Sequence, residues 1–326
     1  MIGKKVLITR IIPAVAEDLL KKAGFDVTVW QGEPMTSEEL KRESEKANAL
    51  ISLGANKIDK AFLNACKHLD VIAQFAVGYD NIDLPEATHL GIPVSNTPDV
   101  LSEATADVAF GLMINVSRKM FHHHKNILKG EWKRFEPLRD LGIELNGKTL
   151  GVFGLGRIGM IMAQRCKGAY NMSIIYHNRS RNIEAEEKFG ARWVSFNDLL
   201  KRSDVLTVHS VFNVETKGIF NKDAFDKMKP TSIFINTSRG GVHNENDLKE
   251  ALINGTIWGA GLDVTNPEPM QKDNPMLNMP NVAILPHIGS ATVEARTGMA
   301  RLAAENIIGF YNGKKMPSCL NAEVLR

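Results

Sequence analysis

Arg239, Glu268 and His287 each follow a short apolar run in the second half of the sequence. Arg239 stands in INTSRGG (Ile235–Gly241) and Glu268 in GAGLDVTNPEP (Gly259–Pro269), flanked by Pro267 and Pro269. His287 stands in ILPHIGSAT (Ile284–Thr292), after a proline and ahead of a helical pattern. An arginine at a strand end grips a carboxylate with two N–H groups at once. A histidine there hands a proton to a carbonyl oxygen as hydride reaches the carbon. A glutamate beside it orients the ring and stabilises its charged form. The arginine would hold the substrate carboxylate and polarise its keto group. Each residue alone has an ordinary reading, a turn histidine or a surface-loop acid. The three together acquire meaning from what precedes them.

That is KTLGVFGLGRIGMIMAQRCKGAYNMSIIYHNRSR, Lys148–Arg181. An apolar strand runs into Gly154-Leu155-Gly156-Arg157-Ile158-Gly159, a G-x-G-x-x-G pattern, and then into a helix. This is the context in which the motif binds a dinucleotide. Gly154 permits the tight turn, Gly156 lets backbone approach a pyrophosphate, and Gly159 lets helix and strand pack closely. The helix N-terminus offers free N–H groups to the phosphates. At the tip of the next strand a carboxylate would accept the adenosine ribose hydroxyls. Here Asn178 is neutral and is followed by Arg179, Ser180 and Arg181. Two guanidinium groups and a hydroxyl suit a 2′-phosphate. The expected cofactor is therefore NADP(H), with NAD(H) possible.

The elements that must position these groups are legible as alternation. In the first part KKVLITR, FDVTVW, NALISLG, DVIAQF and IPVSN read as strands, and PAVAEDLLKKAG, TSEELKRESEKA, KIDKAFLNACKHL and DLPEATHLG as the helices between them. In the second part TLGVFG, MSIIYHN, RWVS, DVLTVHS, SIFINTS, IWGAGLDV and VAILPH read as strands. Strands alternating with helices imply parallel sheets. Between the parts, Asp99–Lys129 reads as one long helix capped by Asp99 or Ser102. It is apolar nearly all round in its first half, as a helix buried between domains or subunits would be. A helix of about 20 residues closes the ordered chain after Pro286. The fold class is α/β, with two doubly wound parallel-sheet domains.

Composition excludes several classes. The 326 residues are 44% hydrophobic, with 40 basic and 37 acidic residues interspersed to a net charge of +3. That is too mild a balance for nucleic acid or a membrane surface. Cys66, Cys166 and Cys319 lie far apart with no CxxC spacing, which speaks against a disulfide framework or zinc cluster and for a reducing, cytoplasmic compartment. No metal is expected. His122, His123 and His124 point about 100° apart on a helix and cannot converge on one ion.

GLGRIG, INTSRGG, GLDVTNPEP and LPHIGSAT occur in the order, and with the neighbours, of four blocks of the D-isomer-specific 2-hydroxyacid dehydrogenases. The chain resembles that family over essentially its whole length, and within it the glyoxylate/hydroxypyruvate reductase branch. The resemblance implies Arg239, Glu268 and His287 as the catalytic trio, with His287 the proton donor. It implies a flavodoxin-like substrate-binding domain, residues 1–98 plus 288–326, into which a Rossmann dinucleotide-binding domain, residues 99–287, is inserted. It implies that Val77 and Gly78, in FAVGYDNID, bind the substrate carboxylate by backbone N–H groups with Arg239, and that Leu53 and Gly54 line the pocket. Thr105, His209, Ser210, Thr237 and Asp263 would contact the cofactor, Asp263 near the nicotinamide amide. A homodimer through the cofactor domain, near Asp99–Lys129, is implied too. In animal reductases of this branch a tryptophan reaches the partner's active site; Phe135 stands in that place here, with Trp132 just upstream. The expected substrates are small 2-keto acids, glyoxylate and hydroxypyruvate, reduced to D-2-hydroxy acids. Alternatives are 2-keto-gluconate, a phosphoglycerate-type dehydrogenase using NADH, or a dinucleotide-sensing, corepressor-like binding protein.

Overall fold

A computed structural model describes residues 3–325. The short apolar runs become strands β1 (Lys5–Ile8), β2 (Asp26–Val29), β3 (Ala49–Ser52), β4 (Val71–Gln74) and β5 (Val94–Ser95). After them come β6 (Thr149–Phe153), β7 (Ser173–His177), β8 (Arg192–Trp193), β9 (Val205–Val208), β10 (Ile233–Asn236), β11 (Gly259–Leu262) and β12 (Val282–Ile284). Every pairing between them is parallel. The chain divides into two units, one built from residues up to Leu101 and from Ala291 onward, the other from Ser102–Ser290.

The first unit holds a sheet in the order β2-β1-β3-β4-β5, the flavodoxin-like order. Strands β3 and β4 are buried at every position, as parallel strands covered on both faces must be. Burying a leucine or isoleucine stabilises by about 1.5–3 kcal/mol, and Leu50, Ile51 and Ile72 are fully enclosed. The chain returns to this unit with the helix Val293–Tyr311, capped by Thr292. That helix packs on the helix Val15–Lys22 and on β3 and β4.

The second unit holds seven strands in the order β12-β11-β10-β9-β6-β7-β8. This is the Rossmann order with one further strand, and the sheet reverses direction of winding between β6 and β9. Strands β9, β10 and β11 are wholly buried. The expected long helix is two, Ser102–Arg118 and Met120–Leu128, broken at Lys119 where φ is 51°. The break has a local cause: the Ser117 carbonyl is taken by the Ile143 N–H at 2.8 Å, so the helical ladder cannot continue through it. The apolar first helix packs against the helix Arg157–Tyr170 and β10–β12 of this unit. On the second helix, His122 Nε2 lies 3.2 Å from Asp140 and 3.0 Å from Asn126 Nδ2. Among the described residues no helix is long and apolar enough to cross a membrane.

Candidate active site

Parallel register sets the site. Asn236, Leu262 and Ile284 end three neighbouring strands and stand in one row across the sheet. The residues that follow each must therefore emerge at the same edge, the carboxyl edge where open α/β sheets bind ligands. Arg239 comes three residues after β10, Asp263 one after β11, and His287 three after β12.

His287 Nδ1 lies 2.6 Å from Glu268 Oε1, with both side chains partly open to solvent. Burial pushes the Glu268 pKa up, but the hydrogen bond and charge of His287, the Thr265 N–H and the charge of Arg239 outweigh it and leave the carboxyl below its ordinary value. Arg239 is half-buried and its Nη1 donates to the Ser238 carbonyl at 2.8 Å. Its loop is laid tightly against the loop of Glu268: a Cβ on Gly240 would stand 1.9 Å from the Thr265 carbonyl oxygen. Thr265 in turn donates its hydroxyl to the Pro267 carbonyl at 2.8 Å.

Asp263 is buried, and its two carboxylate oxygens accept the N–H groups of Ile288 (2.8 Å) and Gly289 (2.7 Å). Desolvation raises its pKa, against the lowering effect of those two bonds. His287 itself sits at φ 55°, a conformation unusual for a residue with a Cβ. Asp263 thus fixes the turn that presents the imidazole. Thr105 joins the same cluster by donating its hydroxyl to the Gly289 carbonyl at 3.1 Å.

The glycine loop meets the requirements of a pyrophosphate cradle. Gly154 has φ 95°, and a Cβ there would lie 2.7 Å from the Ser210 N–H nitrogen and 2.8 Å from the His209 carbonyl carbon. A Cβ on Gly159 would lie 2.7 Å from the Gly154 carbonyl oxygen. Over Gly156 there is open space, with nothing within 4 Å of a Cβ. Arg157 and Ile158 open the helix Arg157–Tyr170, whose N-cap Gly156 supplies no side-chain cap. A helix N-terminus of this kind suits an anionic phosphate. The residues present therefore fit a dinucleotide. His209 lies 2.9 Å from Thr207 Oγ1 and 3.5 Å from Thr237 Oγ1. Part of its surface is open, yet protein crowds the ring and desolvation pushes its pKa down to about 3. It stays neutral. Ser210 Oγ is buried without a partner among the described residues.

At the tip of β7 the arrangement differs from the sequence expectation. Asn178 does not stand free: its Oδ1 accepts the Leu155 N–H at 2.7 Å, and Asn182 Nδ2 donates to the Leu155 carbonyl at 2.9 Å. The two carboxamides bracket one residue of the glycine loop, Leu155. Arg179 and Ser180 are exposed. Arg181 turns away to Glu186, its Nε 3.0 Å from Oε1.

In the first unit the candidate substrate loops are set by carboxamides, of which Asn56, Gln74 and Asn96 are buried. Asn56 Oδ1 accepts the Leu53 N–H at 2.9 Å and the Thr9 hydroxyl at 2.6 Å. Asn81 bonds to Gln74 at 2.9 Å and to the Asn56 carbonyl at 2.7 Å, which ties the Leu53–Gly54 and Val77–Gly78 segments together. Asn96 Nδ2 holds the Val77 carbonyl at 2.8 Å.

Sequence reasoning did not find Asn236. It is buried, accepts the Ser238 N–H (2.9 Å) and hydroxyl (2.8 Å), and donates to the Arg239 carbonyl at 2.9 Å. The signal was present: a single carboxamide ends the apolar run IFIN, directly before the turn that carries Arg239. Glu245 was missed as well. It accepts the Asn266 N–H at 2.7 Å and Asn274 Nδ2 at 2.9 Å, closing the segment that holds Glu268.

Known proteins resemble this chain throughout. Residues 110–289 match the family model described as D-isomer specific 2-hydroxyacid dehydrogenase, NAD binding domain. A glyoxylate reductase of Thermococcus litoralis is 44% identical, covering 98% of this chain and 98% of its own. A crystal structure of a glyoxylate reductase from Paecilomyes thermophila has a TM-score of 0.88 at 32% identity, covering 99% of this chain and 100% of its own. An NADPH-dependent glyoxylate/hydroxypyruvate reductase from Sinorhizobium meliloti, in complex with NADP and malonate, has a TM-score of 0.86 at 32% identity, covering 97% and 96%. Fold, site and likeness together define an oxidoreductase served by a nicotinamide dinucleotide. The chain belongs to the D-isomer-specific 2-hydroxyacid dehydrogenase family, in its glyoxylate reductase branch.

Proposed function

We propose that this chain reduces small 2-keto acids, glyoxylate and hydroxypyruvate foremost, to the corresponding D-2-hydroxy acids, with NADP(H) preferred and NAD(H) accepted. The observation that carries the reading is the His287–Glu268 pair, 2.6 Å apart, on the sheet edge that also bears the glycine loop. The bound dinucleotide supplies a hydride to the carbonyl carbon. Glu268 occupies Nδ1 of His287, so Nε2 is the nitrogen left to protonate the carbonyl oxygen. The His287 side chain keeps 46% of its surface exposed, so the ring regains its proton from solvent. Arg239 binds the substrate carboxylate and polarises the keto group. In the first unit, Val77 and Gly78 offer backbone N–H groups suited to a carboxylate, with Leu53 and Gly54 on the neighbouring loop. Thr105, Ser210, Thr237 and Asp263 serve the cofactor. The glyoxylate reductase relatives support the substrate class, and the NADP-bound Sinorhizobium neighbour supports the cofactor.

A second reading, NADH use of the phosphoglycerate type, is favoured by one observation: Arg181 is engaged by Glu186. Steady-state kcat/KM with NADPH and with NADH at saturating glyoxylate separates the two. A large NADPH advantage supports the first; equal rates or an NADH advantage support the second. Absence of any 2-keto-acid-dependent oxidation of either cofactor removes both and leaves a binding protein.

The active form we infer is a cytoplasmic homodimer joined through the second unit. Support comes from the apolar side chains it exposes, Leu128 at 74%, Trp132 at 72%, Phe135 at 86% and Leu138 at 85%. Sedimentation of the pure chain as a monomer at micromolar concentration would remove the dimer.

A further inference from the structure

The turn after β7 carries two arginines, and the fold treats them differently. Arg179, with Ser180, is exposed. Arg181 is folded back, its Nε 3.0 Å from Glu186 Oε1 and its Nη2 bonded to Oε2. Glu186 is itself anchored, since Oε1 also accepts the Tyr176 hydroxyl at 2.6 Å. That hydroxyl accepts the Asn182 N–H at 2.8 Å, and the tyrosine belongs to the fully buried core. An exposed ion pair alone contributes little. Here, however, the acceptor is fixed in advance: the Glu186 side chain is 17% exposed against 61% for Arg181. The fork-to-fork geometry uses the donors an arginine would otherwise turn to a phosphate.

We propose that Glu186 is a specificity-determining residue that restrains Arg181, so that recognition of a 2′-phosphate falls to Arg179 and Ser180 and selectivity for NADP(H) over NAD(H) stays below what two arginines would give. This rests on reading the β7 turn as the adenosine end of the cofactor site. Two effects act together. The donors of Arg181 are occupied, and its charge is spent on a fixed carboxylate instead of an incoming dianion. Tyr176 is a positioning residue in this scheme, because it holds the carboxylate rather than the ligand.

The test is the dissociation constant of NADP⁺ and of NAD⁺, measured by calorimetry without substrate. The proteins are the wild type, Glu186→Gln, Arg181→Ala and the double variant. Glu186→Gln is expected to tighten NADP⁺ by about tenfold, the worth of one charge-assisted hydrogen bond, and to leave NAD⁺ unchanged. Arg181→Ala alone is expected to leave the NADP⁺:NAD⁺ ratio within about twofold, since its arginine is already withheld, and to abolish the gain when combined with Glu186→Gln. Tyr176→Phe, which loosens the carboxylate without removing it, should move the ratio the same way by less. An unchanged ratio in Glu186→Gln overturns the proposal. So does a tenfold loss of NADP⁺ in Arg181→Ala, which stands even if Glu186→Gln does not fold. The wild-type ratio tests the broader NADP(H) preference by itself; the change from wild type to Glu186→Gln tests Glu186.

Discussion

Asp263 accepts the backbone N–H of Gly289 at 2.7 Å, two residues beyond His287. A buried acid at the end of one strand thereby sets the turn at the end of its neighbour. With the Ile288 N–H on its other oxygen, both acceptors of the carboxylate face donors, as a buried charge requires.

Asp263→Asn keeps one acceptor but points an NH₂ donor at a backbone N–H. A buried donor left unsatisfied costs about 1–3 kcal/mol, so a fall in Tm and in kcat is expected, with the turn of His287 loosened. The pH dependence has a definite sign. Burial raises the Asp263 pKa above its ordinary 3.8, so the folded chain holds that proton more tightly than the unfolded one. The stability this group contributes is fully present below pH 3.8 and is lost as pH rises through its folded value. Denaturant unfolding across acid pH checks this: the asparagine variant should lack that slope, and a variant that keeps it would contradict the assignment.

Glu268→Gln removes the carboxylate that holds His287 Nδ1 in place. Kcat is expected to fall by about 10²-fold, the lower range for a proton-transfer step, with the dissociation constant for cofactor unchanged. Because the Glu268 pKa lies below its ordinary 4.5, what the carboxylate contributes is present above pH 4.5 and is lost as pH falls through the lowered value. Comparing wild type and variant by unfolding should give a difference that is constant above pH 4.5 and shrinks below it. A difference already shrinking near neutrality would assign the titration to another group.

Asn178→Ala tests the glycine-loop bracket. If Asn178 acts by holding Leu155, its loss weakens NADP⁺ and NAD⁺ alike, by about five- to tenfold for one hydrogen bond. Calorimetry with both cofactors decides. A loss confined to one cofactor would mean that Asn178 reads the ribose end directly.

Much of this was legible in the sequence. Strands such as ALIS, VIAQ and IFIN are buried at every position, and that continuous burial is what made their apolar runs readable. The proposed trio stands out in the sequence because each member lies in a loop that follows an apolar run, and parallel register brings successive strand ends to one edge. What escaped depends on contacts that no motif or periodicity marks. The break at Lys119 is set by a hydrogen bond from Ile143 to Ser117, which no local periodicity encodes. The pairing of Arg181 with Glu186 is of the same kind, since Glu186, on the next helix, carries no mark of being its partner. Asn236 and Glu245 are not singled out by any motif, since the loops they hold take their course only from the fold.

The most direct test of the account is the turnover of His287→Gln with glyoxylate and NADPH, alongside its dissociation constant for NADP⁺. Loss of the proton donor alone predicts a kcat lower by about 10²- to 10⁴-fold with cofactor binding unchanged. Turnover near that of the wild type would take His287 out of the mechanism, and with it the role given to Glu268.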